Sequence, residues 1–208
     1  MTARQASAAR SEPAGGSAEA GGREEPQLRT DLVEAALKLF TLHGYQSVTV
    51  AEIGAAADVT GPALYRHFES KQALLTAALL LAGDRTIAGA RQIIAEAPTP
   101  RAALERMVRS WARAAIADES RLVIGYFAER RHIPADARRQ LDAHYITYVD
   151  LIADTLGHIR PDFNEQERRL RVQAAMGMIA SSPQYVSDTH QETLIEALTA
   201  LSLATLTA

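Results

Sequence analysis

The sequence predicts an all-α protein, and two observations support this fold class. From Pro26 onward, apolar residues recur at helical spacing, as at Leu32, Ala36 and Phe40, and no comparable stretch alternates apolar and polar residues as a half-buried strand does. Residues suited to capping helix ends also recur along the chain. Together they predict about nine helices, near 27–43, 50–57, 61–67, 71–97, 100–117, 119–131, 134–157, 165–181 and 189–206.

Composition limits the class of protein further. The 208 residues include no cysteine, which excludes a disulfide framework and a thiolate metal site and agrees with a cytoplasmic location. The longest apolar run, residues 73–83, is too short to span a bilayer, so we expect no membrane association. Residues 1–25 contain almost no large apolar side chain, and we expect a disordered tail that is not an export signal.

The helix starts are predicted from side chains that can accept a hydrogen bond from an unpaired backbone N–H. Pro100 follows such a residue directly and is suited to the first turn of a helix. The capping residues are Thr49 with Glu52, Thr99 before Pro100, Asn164 with Glu167, and Thr189 with Glu192.

A helix-turn-helix is predicted between Gly44 and Lys71. Gly44 is suited to the left-handed conformation that follows a helix end. The second helix has only about two turns and must pack on its neighbours, since so short a helix is unstable alone. It ends near Asp58, after which Thr60 caps the third helix and Pro62 occupies its first turn.

The third helix has two different faces. Leu64 and Phe68 share one face and are expected in the core, while Gly61, Pro62, Tyr65 and Arg66 spread over the opposite arc. The N-terminus of a helix attracts phosphate, and Tyr65, His67 and Lys71 can hydrogen-bond to the same backbone. We therefore expect this helix to lie in the major groove of double-stranded DNA.

The segment over about residues 28–75 resembles the N-terminal DNA-binding domain of the TetR family of bacterial transcriptional regulators. The resemblance is carried by Leu39-Phe40, Gly44, Thr49, Ile53, Val59-Thr60, Leu64-Tyr65, His67-Phe68, Lys71 and Leu74. It implies a homodimer on a palindromic operator and a helical C-terminal domain that dimerises and binds an inducer, most members being repressors. Family phosphate contacts correspond to Thr49, Thr60, Tyr65, His67 and Lys71, and base-approaching positions to Gly61 and Pro62; Arg29 and Arg66 are further DNA-binding candidates.

Three positions depart from the family pattern. Asp58 occupies a turn position where the family usually has Gly, Gly54 replaces the usual Ala, and Pro62 replaces a common Gly. Because residues 61–63 provide no bidentate donor for a base edge, readout is expected to use thymine methyl contacts or DNA shape. Residues 26–71 carry a net charge of −1 and the whole chain −3, so affinity must come from the placement of charges.

The predicted organisation is a tail at 1–25, a helix-turn-helix domain at 26–71 and a ligand-binding and dimerisation domain at 72–208. The resemblance places an inducer cavity among the middle helices, where Trp111, Phe127 and Tyr148 are candidates to line it. It also makes the last two helices the dimer-forming pair. The candidate interface residues are Ala174, Gly177, Met178, Leu194, Leu198 and Leu201.

Other functions have weaker support in the sequence. Asp150, Asp154 and His158 have a spacing that can present metal ligands, but Asp before His near a helix end is already favourable without a metal. No cofactor is predicted, and no nucleophile-base arrangement indicates an enzyme. His144 can line a ligand cavity or can be an ordinary partly buried histidine. The principal alternative is a helical protein-interaction module that has lost DNA binding, which the acidic balance favours.

Overall fold

The fold is that of a computed structural model, which describes residues 25–116, 133–182 and 190–208. These ranges are helical without strands, which confirms the predicted all-α class. Residues 1–24 of the predicted tail, the predicted helix at 119–131 and Phe127 lie outside the described residues, while Glu25, which was assigned to the tail, is the first residue of α1. The helices are α1 (Glu25–His43), α2 (Val50–Ala56), α3 (Gly61–His67), α4 (Lys71–Glu96), α5 (Pro100–Ile116), α6 (Ala135–Gly157), α7 (Glu165–Ser181) and α8 (Gln191–Thr207).

The predicted caps that fall in the described ranges are present. The hydroxyl of Thr99 accepts from the N–H of Ala102 at 3.1 Å, and the side chain of Asn164 caps α7 through Glu167. The cap predicted for the last helix involves Thr189, which lies outside the described residues; α8 is described from Gln191. Glu192 lies in ion pairs with two arginines of α5, at 2.9 Å in the case of Arg113.

The helices enclose two hydrophobic cores. The first, called here the N-terminal core, lies among α1, α2, α3 and the first half of α4, and it also takes in Leu141 near the start of α6. The second, the C-terminal core, lies among α5, α6, α7 and α8. The predicted domain boundary after Lys71 falls at the first residue of α4, whereas the N-terminal core continues along that helix to Leu79.

Helix α4 connects the two cores. Leu74, Leu75 and Leu79 pack in the N-terminal core, and Ala90, further along the same helix, packs in the C-terminal core. By length and composition alone α4 is apolar enough to cross a membrane, as core helices of soluble proteins also are. Its burial between two cores accounts for that apolar composition.

The end of α8 is held by two arginines that flank one aromatic ring. The guanidinium of Arg160 lies 3.7 Å from the ring centroid of Phe163, and that of Arg171 lies 4.0 Å from it. Arg160 donates to the carbonyl of Ala208 at 2.9 Å, and Arg171 to that of Thr205 at 3.0 Å. Cationic donors satisfy carbonyls that have no partner at a helix C-terminus, so α8 is fixed against the α6–α7 junction.

Candidate nucleic-acid interface and ligand cavity

The turn between α2 and α3 is closed by backbone hydrogen bonds around Asp58. The N–H of Val59 donates to the carbonyl of Gly54 at 2.9 Å, and that of Asp58 to Ala55 at 3.2 Å. This pair of bonds is the Schellman motif, which requires a left-handed residue after the helix. Asp58 supplies it with φ of 58°. The turn is therefore retained although Asp58 replaces the glycine usual in the family, because Asp tolerates positive φ better than most residues.

Gly54 allows the same turn to close tightly. A Cβ atom at this position would lie 2.8 Å from the carbonyl oxygen of Val59, which is closer than a side chain tolerates. The replacement of the usual Ala by Gly is thus explained by the close approach of the α2–α3 turn to α2 itself.

The N-terminus of α2 carries the predicted reciprocal cap. The N–H of Glu52 donates to the hydroxyl of Thr49 at 3.2 Å, and the N–H of Thr49 donates to the Glu52 carboxylate at 2.6 Å. The Thr49 hydroxyl also donates to this carboxylate at 2.7 Å. These bonds hold the pKa of Glu52 below its usual value. The N–H and the hydroxyl of Thr49 therefore both donate to Glu52, so a phosphate would have to displace this carboxylate to accept hydrogen bonds from Thr49.

Helix α3 is anchored by one face and exposed on the other. Leu64 and Phe68 are buried in the N-terminal core, as their spacing predicted. Tyr65 is 54% exposed, and Arg66 and Pro62 are also exposed. The hydroxyl of Thr60 caps the helix through the N–H of Ala63 at 3.4 Å. This arrangement presents one side of α3 to a partner without loss of core packing.

Lys71 and Arg29 lie against aromatic rings of the N-terminal core. The ammonium of Lys71 lies 4.4 Å from the ring centroid of Tyr45, and the guanidinium of Arg29 lies 4.7 Å from that of Phe68. Rings attract cations through their negative faces and so fix the position of each charge. Tyr45 thus positions Lys71, a predicted phosphate contact. The sequence analysis did not select Tyr45, although its position directly after Gly44 could have indicated a role near the helix-turn-helix.

The predicted DNA-binding residues share one end of the molecule, on α1, the start of α2, α3 and the start of α4. All of them are at least partly exposed, and DNA contact by each remains a prediction. Exposed are Arg29, Thr49, Thr60, Pro62, Tyr65 and Arg66, while Gly61, His67 and Lys71 are partly exposed.

A cavity of about 170 Å³ lies among α4, α5, α6 and α7. Trp111 and Tyr148, both predicted to line a ligand cavity, are on its wall, and their ring centroids are 5.4 Å apart. The wall is mainly apolar, which is typical of small-molecule sites. Ligand binding by these residues remains a prediction. Sequence reasoning missed Leu79, Gly83 and Leu141, because neither charge nor motif distinguishes them from other core residues.

His144 also lines the cavity and connects α6 to α4. Its Nε2 lies 3.1 Å from a carboxylate oxygen of Asp84. On its other side the imidazole lies against Gly83, where a Cβ atom would come within 2.8 Å of Nδ1. Because Gly83 has no side chain, α4 and α6 can approach each other closely beside the cavity. Of the two interpretations open from the sequence, the structure supports a cavity position for His144.

The predicted dimer residues divide between surface and core. Ala174, Gly177 and Leu201 are exposed, and Met178 and Leu194 are partly exposed. Leu198 is 7% exposed and packs in the C-terminal core, because it lies on the face of α8 that is turned toward α5 and α7. A part for these residues in a dimer interface remains a prediction. Leu170, which the sequence analysis did not select, is 65% exposed on α7.

The alternative metal site has no support in the described ranges. Asp150 is held by Arg169 of α7, with 2.8 Å between the carboxylate oxygen and Nε. Asp154 and His158 are exposed, and residues 25–116, 133–182 and 190–208 contain no group of three His, Asp or Glu side chains placed to hold a metal ion.

The described part of the chain thus joins a helix-turn-helix, with one face of α3 exposed, through one long helix to a bundle with an apolar cavity, an arrangement suited to a ligand-responsive DNA-binding protein. Residues 32–78 match the sequence model of the bacterial regulatory proteins of the TetR family. The matched residues span most of α1, the helix-turn-helix and the start of α4, so this part of the chain is similar to regulators of the TetR family.

Similar proteins agree with this assignment. The transcriptional repressor KstR2 of Rhodococcus jostii is 34% identical over 53% of each chain, so the match spans about half the length of that relative. A TetR-family regulator of Bordetella parapertussis has the same fold, with a TM-score of 0.67 at 22% identity over 87% of this chain and 95% of its own. The structure of AibR with isovaleryl coenzyme A and operator DNA also has a TM-score of 0.67, at 19% identity over 84% and 97%.

Proposed function

We propose that this chain is a cytoplasmic transcriptional regulator that binds a palindromic operator as a homodimer and responds to a small molecule. The observation that carries the proposal is the exposed face of α3, with Tyr65 and Arg66 outward above a buried Leu64. Exposed aromatic and basic side chains on a firmly packed helix are suited to DNA backbone contacts. Repression is the favoured mode, because the similar protein KstR2 is named a repressor.

The acidic balance of the DNA-binding region does not exclude this function. Glu34 is paired with Arg85 of α4, and Glu52 is engaged by Thr49. Arg66, in contrast, makes no ion pair within the described part of the chain. The acidic side chains are thus partly neutralised by local partners, and a basic one remains available to phosphate.

Dimerisation is supported by an apolar surface on α7 and α8, called here the paired-helix face. It consists of Leu170, Ala174 and Gly177 on α7 with Ala197, Leu201 and Ala204 on α8, and all of these are exposed. A contiguous apolar surface on two adjacent helices is typical of an interface. Small residues among the leucines let helices of a second copy approach closely. A two-fold dimer would present two α3 helices to half-sites about 34 Å apart.

The cavity adjoins the core that supports α3, which gives a ligand a route to the DNA-binding end. Leu79 and Leu141 line the cavity and also pack in the N-terminal core. A ligand that contacts them favours one packing of α4 against α6, and α4 begins directly after the helix-turn-helix. We infer that ligand binding shifts the population toward dimers whose α3 spacing no longer matches successive major grooves.

DNA affinity of substituted proteins tests this function. Genomic fragments retained by the purified protein are sequenced, and fluorescence anisotropy is then measured on the recovered site. Arg66→Ala and Tyr65→Ala are each expected to weaken binding about tenfold, since each removes contacts to charged phosphate. Arg66→Ala should also reduce, by about one, the magnitude of the slope of log affinity against log salt concentration.

The matched control is Arg91→Ala, because Arg91 is an exposed arginine of α4 with no ion pair in the described ranges and lies outside the predicted DNA-binding end. Its affinity should equal that of the wild type. Recovery of no specific fragment, or equal loss in all three variants, would instead favour the protein-interaction module that the acidic balance permits.

A further inference from the structure

We propose that the cavity takes an uncharged, mainly apolar molecule whose carbonyl oxygen accepts a hydrogen bond from the hydroxyl of Tyr148. The proposal rests on the proposed function in one respect, namely that the cavity receives a regulatory ligand. It adds the chemical class of that ligand and the residue that selects it.

Within the described ranges, the hydroxyl of Tyr148 has no hydrogen-bond partner. The residue is 6% exposed and lines the cavity, and its hydroxyl makes no hydrogen bond among the described residues. Buried tyrosine hydroxyls usually have a partner, because an unpaired polar group in an apolar environment is costly. Burial raises the pKa of Tyr148, so its hydroxyl remains a protonated donor at neutral pH. The missing partner is thus most simply an acceptor on a ligand.

The other polar groups of the described wall are less suited to the role. The hydroxyl of Thr86 donates to the carbonyl of Ala82 at 2.9 Å, Tyr145 has a partner within the protein, and Gln173 is exposed. The Nε2 of His144 lies 3.1 Å from Asp84, and its Nδ1 is buried against Gly83 without a partner in the described ranges. The indole N–H of Trp111 is also unpaired within the described ranges, but Trp111 borders a second small void beside Ser202 as well. The assignment therefore rests on Tyr148, with the Trp111 ring as its apolar neighbour.

The charge of the wall selects against anions. None of its residues in the described ranges is a lysine or arginine, and the carboxylate of Asp84 lies 3.1 Å from His144 of the wall. Among these described residues an anionic ligand meets no cationic partner and lies close to a negative charge, which is unfavourable in an apolar site. The structure thus favours an uncharged ligand.

A carbonyl suits the cavity better than a hydroxyl group. A carbonyl oxygen only accepts hydrogen bonds, so it satisfies Tyr148 and brings no donor that needs a further partner. A ligand hydroxyl that donated to Tyr148 would leave the tyrosine proton unpaired. In size, about 170 Å³ is similar to engineered apolar cavities of about 150 Å³ that hold one benzene ring.

Calorimetric titration of the full chain with three compounds of similar size tests the assignment: acetophenone, ethylbenzene and benzoate. In the wild type, acetophenone is expected to bind about tenfold more tightly than ethylbenzene, because only the ketone satisfies the Tyr148 hydroxyl. Benzoate is expected to bind most weakly. In Tyr148→Phe the preference for the ketone should disappear, while ethylbenzene affinity stays within about twofold.

Tyr65→Phe is the matched control, since it removes a tyrosine hydroxyl at the other end of the molecule and should keep the ketone preference. Equal binding of acetophenone and ethylbenzene, or a preference that survives Tyr148→Phe, overturns the carbonyl assignment but leaves the cavity as a ligand site. Tightest binding by benzoate overturns the uncharged class. If none of the three binds, both the ligand class and a regulatory role for the cavity fail, while DNA binding is judged by its own experiment.

Discussion

At the scale of single residues, one side chain in an unusual backbone conformation determines the geometry of the helix-turn-helix. Asp58 has φ of 58° and closes the Schellman motif that connects α2 to α3. The sequence indicated the conformation, because the position is a glycine in the family pattern and Asp is among the few residues that tolerate it. It did not indicate which backbone groups would pair there.

The backbone strain at Asp58 leads to a testable stability difference. Asp58→Ala is expected to lower the free energy of unfolding by about 1 kcal/mol, since Ala lacks the tolerance for positive φ, whereas Asp58→Gly should equal or exceed the wild type. Thermal and urea denaturation measure both. If the Gly variant loses as much as the Ala variant, the contribution comes from a contact of the Asp58 side chain and not from the backbone.

At the scale of helices, two glycines allow close contacts that no periodicity predicted. Gly54 lets the α2–α3 turn lie against α2, and Gly83 lets α6 bring His144 against α4. In sequence both look like weak points in a helix. The structure shows why glycine is needed at each position. The group that a side chain would meet, the Val59 carbonyl or the His144 ring, lies around a turn or far along the chain.

A substitution at Gly54 distinguishes the effect of close packing on stability from the effect of helix propensity. Gly54→Ala is expected to destabilise the protein by about 1–3 kcal/mol, because the new methyl group meets the Val59 carbonyl 2.8 Å away. Gly89→Ala is the control, since nothing lies within 4 Å of a Cβ there and alanine favours a helix by up to about 1 kcal/mol. Thermal denaturation of both variants is the measurement. Equal stabilisation by the two alanines would show that the α2–α3 turn relaxes freely.

At the scale of the whole molecule, the proposed function depends on one continuous helix, α4. Helix α4 begins at the helix-turn-helix, borders the cavity through Leu79 and Gly83, and ends in the C-terminal core. The ion pair between Glu34 and Arg85 ties α1 to the same helix. A ligand in the cavity and DNA at α3, both proposed above, would thus act on opposite parts of a shared element, which is what a coupling free energy between sites requires.

The paired-helix face provides a test of assembly. If the chain forms the dimer proposed above, Leu201→Glu is expected to convert it to a monomer in sedimentation velocity, because it places a charge on a face that the second copy would cover. The side chain is 56% exposed, so the fold of each protomer should be unaffected. Ile94→Glu, on an exposed position of α4, is the control and should remain dimeric. A dimeric Leu201→Glu protein would place the interface elsewhere.

The sequence by itself determined the all-α class, the helix positions in the described ranges and the two faces of α3, because capping and helical periodicity act over a few residues. It also identified Trp111 and Tyr148, two of the three large aromatic residues that the structure places on the described cavity wall, but not Tyr145. Only the tertiary structure decided which side of α8 is buried, how Tyr45 holds Lys71, and that one helix joins the two cores. These features depend on contacts between residues far apart in the chain, and no local pattern contains the position of the partner.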